Sequence, residues 1–425
     1  MPNGNTAPDL EADLNNLAMS SEAEPLLAAV KDFIDSEIEP MTQAFQEAAG
    51  EHGDRWSLSP RQEEILGGLK AKAKQRGLWN FFLPDADTGE GLKNLDYAYI
   101  ATELGKNPIA SECLNCSAPD TGNMEVLEKY GSPEQKEKWL KPLLNGEIRS
   151  AYGMTEPNLA SSDAKQIGTR AVLEGDEWVI NGEKFYISGA GDKRCKIMIC
   201  MVKTSPNAAS HLQQSQILVP LDTPGVNIIE PMSVFGHDDA PHGHMHIMLE
   251  DVRVPKENMI LGEGRGFEIS QGRLGPGRIH HCMRSIGQAE RALDLFVSRG
   301  MSREAFGKTL VQLGKNLELV SRARIDIEMM RLLVLKAAKA MDVLGNREAR
   351  VWVHMIKAVI PERVCRIIDE AIQIHGASGV SQWTPLARMY TGQRTLRIAD
   401  GPDEVHHLVV GRAELRKYDE NYGRG

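Results

Sequence analysis

The sequence predicts an α+β chain that is mostly α, in which a β-rich middle separates two helical ends. Three observations carry that reading. Apolar residues recur at helical spacing from about residue 20 to 147, short β-rich runs fill about 150 to 260, and long helical patterns return after the glycine-rich stretch 262–266. With 425 residues there is room for about three domains. The expected division is an all-α domain at 19–150, a small β domain at 151–262 and an α-helical bundle at 263–425, preceded by a mobile tail at 1–18.

Each element has a local reason. At the start of the helical region, Ser21 and Glu24 are spaced as a capping box ahead of Leu26, Leu27, Val30 and Phe33. Ser59-Pro60 and Ser132-Pro133, the latter with Gln135, place proline at the first helical position. In the middle, strands are expected at 178–180, 196–202, 215–221 and 244–254. Asn181-Gly182 reads as a tight hairpin turn, with later turns at Asp222–Gly225 and Glu250-Asp251. The last helices are expected at about 267–299, 309–345, 347–376 and from Pro402 to about 418. Leu317, Val320, Ile325, Met329, Leu332, Leu333 and Leu335 make one of them apolar enough to be buried between neighbours or subunits.

Composition excludes several classes. No apolar run approaches the roughly 18 residues of a membrane span. The first twenty residues have no signal-peptide pattern and carry Asp9, Glu11 and Asp13 but no Arg or Lys, so a soluble, cytoplasmic chain is expected. A net charge of −10 offers no basic face to nucleic acid. The cysteines at 113, 116, 195, 200, 282 and 365 form no paired framework and are expected to be reduced and mostly buried. His237, His242, His244 and His246 lie close together, the last three alternating as metal ligands on one strand face can; a half-exposed strand also tolerates them, and no metal is expected. The glycines of 262–266 miss the dinucleotide fingerprint because the third comes one residue early, so a domain-crossing loop is expected there.

Asp400 lies just before 401 GPDEVHH 407, where Pro402, Asp403 and Glu404 mark a helix N-terminus. A carboxylate there can cap the helix or serve chemistry beside free amides.

The segment 151 AYGMTEPNLASSD 163 resembles the flavin-contacting signature of acyl-CoA dehydrogenases. The resemblance continues in the family's order through WVINGEKFYISGAG (178–191), 249–267, REAFGK (303–308), QIHGASGV (373–380) and RIADGPDEVH (397–406). It implies an N-terminal helical domain, a middle β-barrel or sandwich, a C-terminal four-helix bundle, FAD between the last two, and a homodimer or homotetramer built through the C-terminal helices. It also implies a step of fatty-acid β-oxidation. A carboxylate takes the α-proton of an acyl-CoA thioester, hydride leaves the β-carbon for flavin N5, a trans-2-enoyl-CoA forms, and an electron-transferring flavoprotein accepts the electrons.

By the same resemblance Asp400 is the base. Tyr152, Met154 and Thr155 meet the flavin ring, and Ser162 lies near the thioester and the FAD pyrophosphate. Tyr186 and Ser188 stand where the family usually has Trp-x-Thr. Arg303, Ala305 and Phe306 resemble the segment that reaches the FAD pyrophosphate of a neighbouring subunit, although Arg303 in a surface ion pair is an alternative. Gln373 and Gly376 fall on the adenosine side, Pro402 and Glu404 line the flavin, and Gly401 adjoins the substrate. Arg278 matches a substrate-side arginine that would orient the thioester, balance Asp400 or pair with another acid.

The departures from the family pattern are specific. The base is usually glutamate, and aspartate is one methylene shorter; IADGPDEVH and the longer segment after TEP are closest to the subgroup of family members ten and eleven. The glutamate that some members carry near residue 277 is absent from 274 LGPGRIHH 281, and Leu313-Gly314 replaces a frequent His-Gln. Two competing readings are a flavin oxidase on the same fold, resembling nitroalkane oxidase or acyl-CoA oxidase, and a non-catalytic assembly factor. Nitroalkane oxidase would place an arginine where this chain has His407, and an assembly factor would lose its base or its flavin contacts.

Overall fold

The computed structural model describes residues 7–83 and 89–422. Its main helices begin with α1 (Ala7–Asn15), α2 (Glu24–Phe33), α3 (Pro60–Gln75), α4 (Asn94–Leu104) and α5 (Asp120–Tyr130). Then come β1 (Arg149–Gly153), β2 (Arg170–Glu174), β3 (Glu177–Ser188), β4 (Cys195–Lys203), β5 (Gln214–Pro220), β6 (Val226–Pro231) and β7 (His244–Pro255). The chain ends with α6 (Gly266–Ser302), a small hairpin of β8 (Glu304–Ala305) and β9 (Lys308–Thr309), α7 (Asn316–His375), α8 (Leu386–Leu396) and α9 (Asp403–Leu415).

Along the chain, helical, sheet and helical regions follow one another as expected. In space the residues gather into two compact units. One holds the chain up to Glu39, Gly91–Ser111 and Arg278 onwards; the other holds Pro40–Glu90 and Glu112–Gly277. The N-terminal helices are therefore shared, α2 and α4 belonging to the first unit and α3 and α5 to the second.

In the sheet-bearing unit, helices start at Ser59-Pro60 and Ser132-Pro133 as expected, and each serine also closes a capping box, with Gln62 and Gln135 answering back to the cap amide. One seven-stranded sheet runs β1-β4-β2-β3-β7-β6, and β5 adds to β4. Asn181-Gly182 is not a hairpin turn. The β2–β3 turn falls instead at Gly175 and Asp176, and β3 runs on through Asn181-Gly182 opposite β7. Glu250-Asp251 likewise lies inside β7, where the register slips by one residue. Met245, Ile247 and Leu249 are buried before the slip, and Val252 and Val254 after it, so the extra residue changes the phase of the alternation. Asp251 adopts φ 49° at the bulge, and Asn181 holds it by accepting from its amide at 2.8 Å. The Asp222–Gly225 turn lies between β5 and β6 as expected.

α6 begins at Gly266 in the sheet-bearing unit and continues into the helical unit from Arg278, and α7 begins at Asn316; the sequence placed their starts at about 267 and 309. The residues before Asn316 form β9 and a short 3-10 turn instead of helix. α7 departs from helical geometry at Gly345, which takes φ 77° and divides the apolar pattern where the sequence suggested. Around it pack α1, α4, α8 and α9. α8 was not expected. Ser21 makes no cap: α2 begins after Ala23 without a side-chain cap, and the neighbouring Ser20 gives its amide and hydroxyl to Asp96 at the start of α4. Of the segment expected to be a mobile tail, residues 1–6 lie outside the described residues and 7–15 form α1, tied to α7 by Lys336 and by the Lys339–Asp13 ion pair.

Candidate active site

Asp400 occupies a tight connection between α8 and α9. Its φ of 57° and that of Gly401, 104°, put two successive residues in left-handed conformations. Aspartate tolerates this region better than most residues. Gly401 has no alternative, because a Cβ there would lie 2.9 Å from His406 Nε2.

Three neighbouring elements supply donors to the carbonyls of this connection. From α6, Arg278 Nε donates to Asp400 O at 2.9 Å. From α7, Lys357 Nζ donates to Leu396 O at the end of α8. From α9 itself, His406 Nε2 meets Gly401 O at 3.0 Å, and its Nδ1 lies 2.8 Å from His354 Nδ1 of α7. A carbonyl only accepts, so His406 carries its proton on Nε2, and His354 therefore donates across the Nδ1–Nδ1 contact. Burial pushes His406 down to about 3 and His354 to about 4, so both are neutral at ordinary pH. Arg397 closes the loop on Asp403 at 2.7 Å.

The Asp400 side chain is 20% exposed, and His281 Nε2 lies 3.2 Å from its Oδ2. Arg278 and His281 are three residues apart on α6, and His354 and Lys357 three apart on α7, so each pair shares a helix face. Burial lowers the pKa of Arg278 and of Lys357, and no carboxylate side chain forms a salt bridge with either among the described residues. Arg278 therefore pairs with no second acid among the described residues, and it donates to the backbone of Asp400.

His281, His354, Lys357 and His406 were missed by the sequence reading. Lys357 had a signal, since a cation in the apolar run 355–361 has no place on a water-facing stripe.

The other expected site residues of this unit are spread over its surface. Arg303 precedes the β8–β9 hairpin, whose Phe306-Gly307 turn has φ 52° and 71°; Ala305 pairs with Lys308, and Phe306 is 97% exposed. Arg303 is exposed and has no ion-pair partner among the described residues, against the surface ion-pair alternative. Gln373 lies in a shallow groove with Leu313, Lys315 and Asn316. Gly376 ends α7 at φ 61°. Pro402 is the N-cap of α9 with no side-chain cap bond, and Glu404 is exposed in its first turn.

In the sheet-bearing unit, β1 starts from a buried charge cluster in which Asp120 accepts from Ser150 N at 2.7 Å and pairs with Arg149. Tyr152 turns its hydroxyl to Ser270 and Gln216, at 3.0 and 2.9 Å. The next residues are fastened to β3. Lys184 Nζ donates to Met154 O, Glu156 Oε1 and Met201 O at 3.1, 2.8 and 2.8 Å, and Thr155 bonds Phe185 through its carbonyl and its hydroxyl. Lys184 keeps Glu156 below its ordinary carboxylate value despite burial. Tyr186 takes φ 54° with an exposed ring, Ser188 Oγ lies 2.8 Å from His244 Nδ1, and Ser162 is exposed in a turn. His246 is 2.6 Å from Glu183, and no three metal-ligating side chains gather among the described residues.

All six cysteines are free and buried. No helix among the described residues is long and apolar enough to cross a membrane.

The acyl-CoA dehydrogenase N-terminal, middle and C-terminal domain families match residues 20–147, 151–252 and 264–415. The chain is 51% identical to acyl-CoA dehydrogenase family member 10 of Mus musculus, over 94% of this chain and 37% of that protein. It is 49% identical to mouse family member 11, over 97% and 52%. It thus spans about half or less of these mouse relatives. The probable acyl-CoA dehydrogenase FadE2 of Mycobacterium tuberculosis is 50% identical, over 95% of this chain and 97% of that protein. Among solved structures, a Mycobacterium abscessus protein assigned to the acyl-CoA dehydrogenases superposes with a TM-score of 0.90 at 49% identity, covering 94% of this chain and 100% of that one. Butyryl-CoA dehydrogenase from Megasphaera elsdenii gives 0.76 at 27%, covering 94% and 99%. The chain belongs to the acyl-CoA dehydrogenase family of flavin-dependent oxidoreductases.

Proposed function

We propose that the chain carries out FAD-dependent α,β-dehydrogenation of an acyl-CoA thioester to the trans-2-enoyl-CoA, with Asp400 removing the α-proton. The observation that supports this most is the organisation around Asp400: a partly exposed carboxylate on a left-handed turn whose backbone is gripped by Arg278 and His406. A helix cap would not need that scaffold.

An α-proton beside a thioester is too weakly acidic for a free carboxylate, so the site must stabilise the negative charge that develops. The buried side chains of Arg278 and Lys357, both of which interact electrostatically with Asp400, supply a positive field to its loop. The α C–H bond breaks, its proton passes to the Asp400 carboxylate, and its electron pair becomes the double bond as hydride leaves the β-carbon. FAD, when bound, accepts that hydride.

The residues suit FAD. Arg303 offers an exposed guanidinium with no ion-pair partner among the described residues, which fits a pyrophosphate. α9 starts without a side-chain cap; the Asp403 amide is taken by Arg397 O and that of Val405 by Pro402 O, which leaves the Glu404 amide for an acceptor. Thr155, Tyr186 and Ser188 bring hydroxyls and an exposed ring, with Tyr152, Met154 and Ser162 on the same unit and Ala305, Phe306, Gln373, Gly376 and Glu404 on the other.

Self-association as a homodimer or homotetramer belongs to the same proposal. Ile325, Met329 and Leu332 share one exposed face of α7, and Phe306 stands clear of its own chain. An electron-transferring flavoprotein as acceptor, a role in fatty-acid β-oxidation and a cytoplasmic location complete it, since CoA thioesters are intracellular. The test is product identification. Incubation with saturated acyl-CoAs and an artificial electron acceptor should yield a trans-2-enoyl-CoA two mass units lighter. Hydrogen peroxide formed in stoichiometric amount with air as sole oxidant would establish an oxidase instead.

A further inference from the structure

The base is held from a second side, and the chemistry of that contact is determined. His281 Nε2 lies 3.2 Å from Asp400 Oδ2, and on the far edge of the same ring Nδ1 lies 3.2 Å from Arg284 Nη2. A guanidinium donates and never accepts, so Nδ1 must present its lone pair. In a neutral ring the proton is then on Nε2 and points at the carboxylate. Burial supports the neutral ring by pulling His281 below its ordinary value, although Asp400 acts in the opposite direction. We propose that His281 is a positioning residue for the reaction: Arg284 fixes its tautomer, and its Nε2–H sets the rotation of the Asp400 carboxylate. This rests on the reading of Asp400 as the base.

The need for such a residue follows from the side chain. Arg278 and His406 hold the backbone carbonyls of Asp400 and of Gly401 after it, but they leave the carboxylate plane undetermined. Rotation about the last bond of an aspartate lies in a broad, soft well. A short base has no second methylene with which to correct its aim, so a donor fixed on Oδ2 bears directly on which way its lone pairs face. His281 is not a relay. Its Nε2 already carries a proton and its Nδ1 lone pair is taken by Arg284, so the α-proton stays on Asp400, and the Oδ2 bond persists whether the acid is ionised or neutral. Ser285, one turn further along α6, bonds the His281 carbonyl, so the imidazole comes from ordered helix.

The test compares His281→Leu, which keeps the bulk without the donor, and His281→Gln, whose amide can reach the same place, with Asp400→Asn and the parent enzyme, all loaded with FAD. His281→Leu should lower kcat by roughly 10- to 100-fold while KM moves about twofold or less, because orientation and not binding is lost. Its deuterium isotope effect for the α-carbon should grow as proton removal becomes limiting. His281→Gln should recover most of the rate. Separately, 15N-histidine spectra of the parent protein should show an Nε2–H tautomer that is lost in His281→Gln and shifts in Asp400→Asn. An unchanged kcat in His281→Leu, equal losses in both His281 variants with FAD retained, or an Nδ1–H tautomer would each overturn the proposal. Full activity in Asp400→Asn would instead overturn the reading of the base on which it rests.

Discussion

Two segments expected to serve the reaction are held by opposite electrostatic means. In the sheet-bearing unit, residues 154–156 are fastened by Lys184, whose side chain is fully buried and spends its three donors on Glu156 and two carbonyls. Charge is neutralised there and every donor is satisfied, which gives rigidity. In the helical unit, the loop of Asp400 is fastened by Arg278 and Lys357, which also donate to carbonyls but form no salt bridge with a carboxylate among the described residues. Their positive charge faces the base itself. The first arrangement holds a shape, and the second holds a shape while keeping a field for an anion that forms only during the reaction.

That contrast can be broken by substitution. Lys184→Met leaves Glu156 buried beside Thr169 without its counter-charge and should cost about 3–5 kcal/mol of stability, read by urea unfolding. Gly401→Ala should come next. Its methyl would meet His406 at 2.9 Å on a backbone with φ 104°, a strain of about 1–3 kcal/mol that the loop relieves by moving, so kcat should fall with little change in FAD content. Lys357→Met sharpens the comparison because it mirrors Lys184→Met. Removing a buried charge that forms no salt bridge should leave stability within about 1 kcal/mol or raise it, whereas kcat falls about tenfold. Comparable losses of stability in both lysine variants would erase the distinction.

The smallest effect concerns pH. The folded pKa values of His354 and His406 are depressed, to about 4 and about 3 from 6.5. As pH falls, the unfolded chain takes up their protons first, so their contribution is whole above about 6.5 and is lost towards about 4. Melting temperature should fall across that window, and His354→Leu should flatten the slope.

Much of this architecture was legible where local chemistry is decisive. Ser59 and Ser132 cap their helices through a glutamine three residues on, and Gly345 interrupts α7 where the apolar pattern breaks. Reading failed where a distant partner intervened. Ser21 loses its capping role because the chain entering α2 is held through Ser20 by Asp96, which lies 76 positions away. Asn181-Gly182 has turn chemistry, but the extra residue of β7 lies opposite it and accepts its side chain. α8 was missed because Thr391, Gly392 and Thr395 dilute its helical pattern. Asp400 was found through the motif around it, whereas His281 and Lys357 act on it from other helices, and no local spacing records that.

The most direct test of the central claim is anaerobic mixing of FAD-loaded protein with a panel of saturated acyl-CoAs, following the visible flavin absorbance in the parent enzyme and in Asp400→Asn. The account predicts rapid bleaching of the parent enzyme by one class of acyl chain, and bleaching slower by about 10²–10⁴-fold in the variant with its FAD retained. Equal bleaching rates in the two proteins would contradict it.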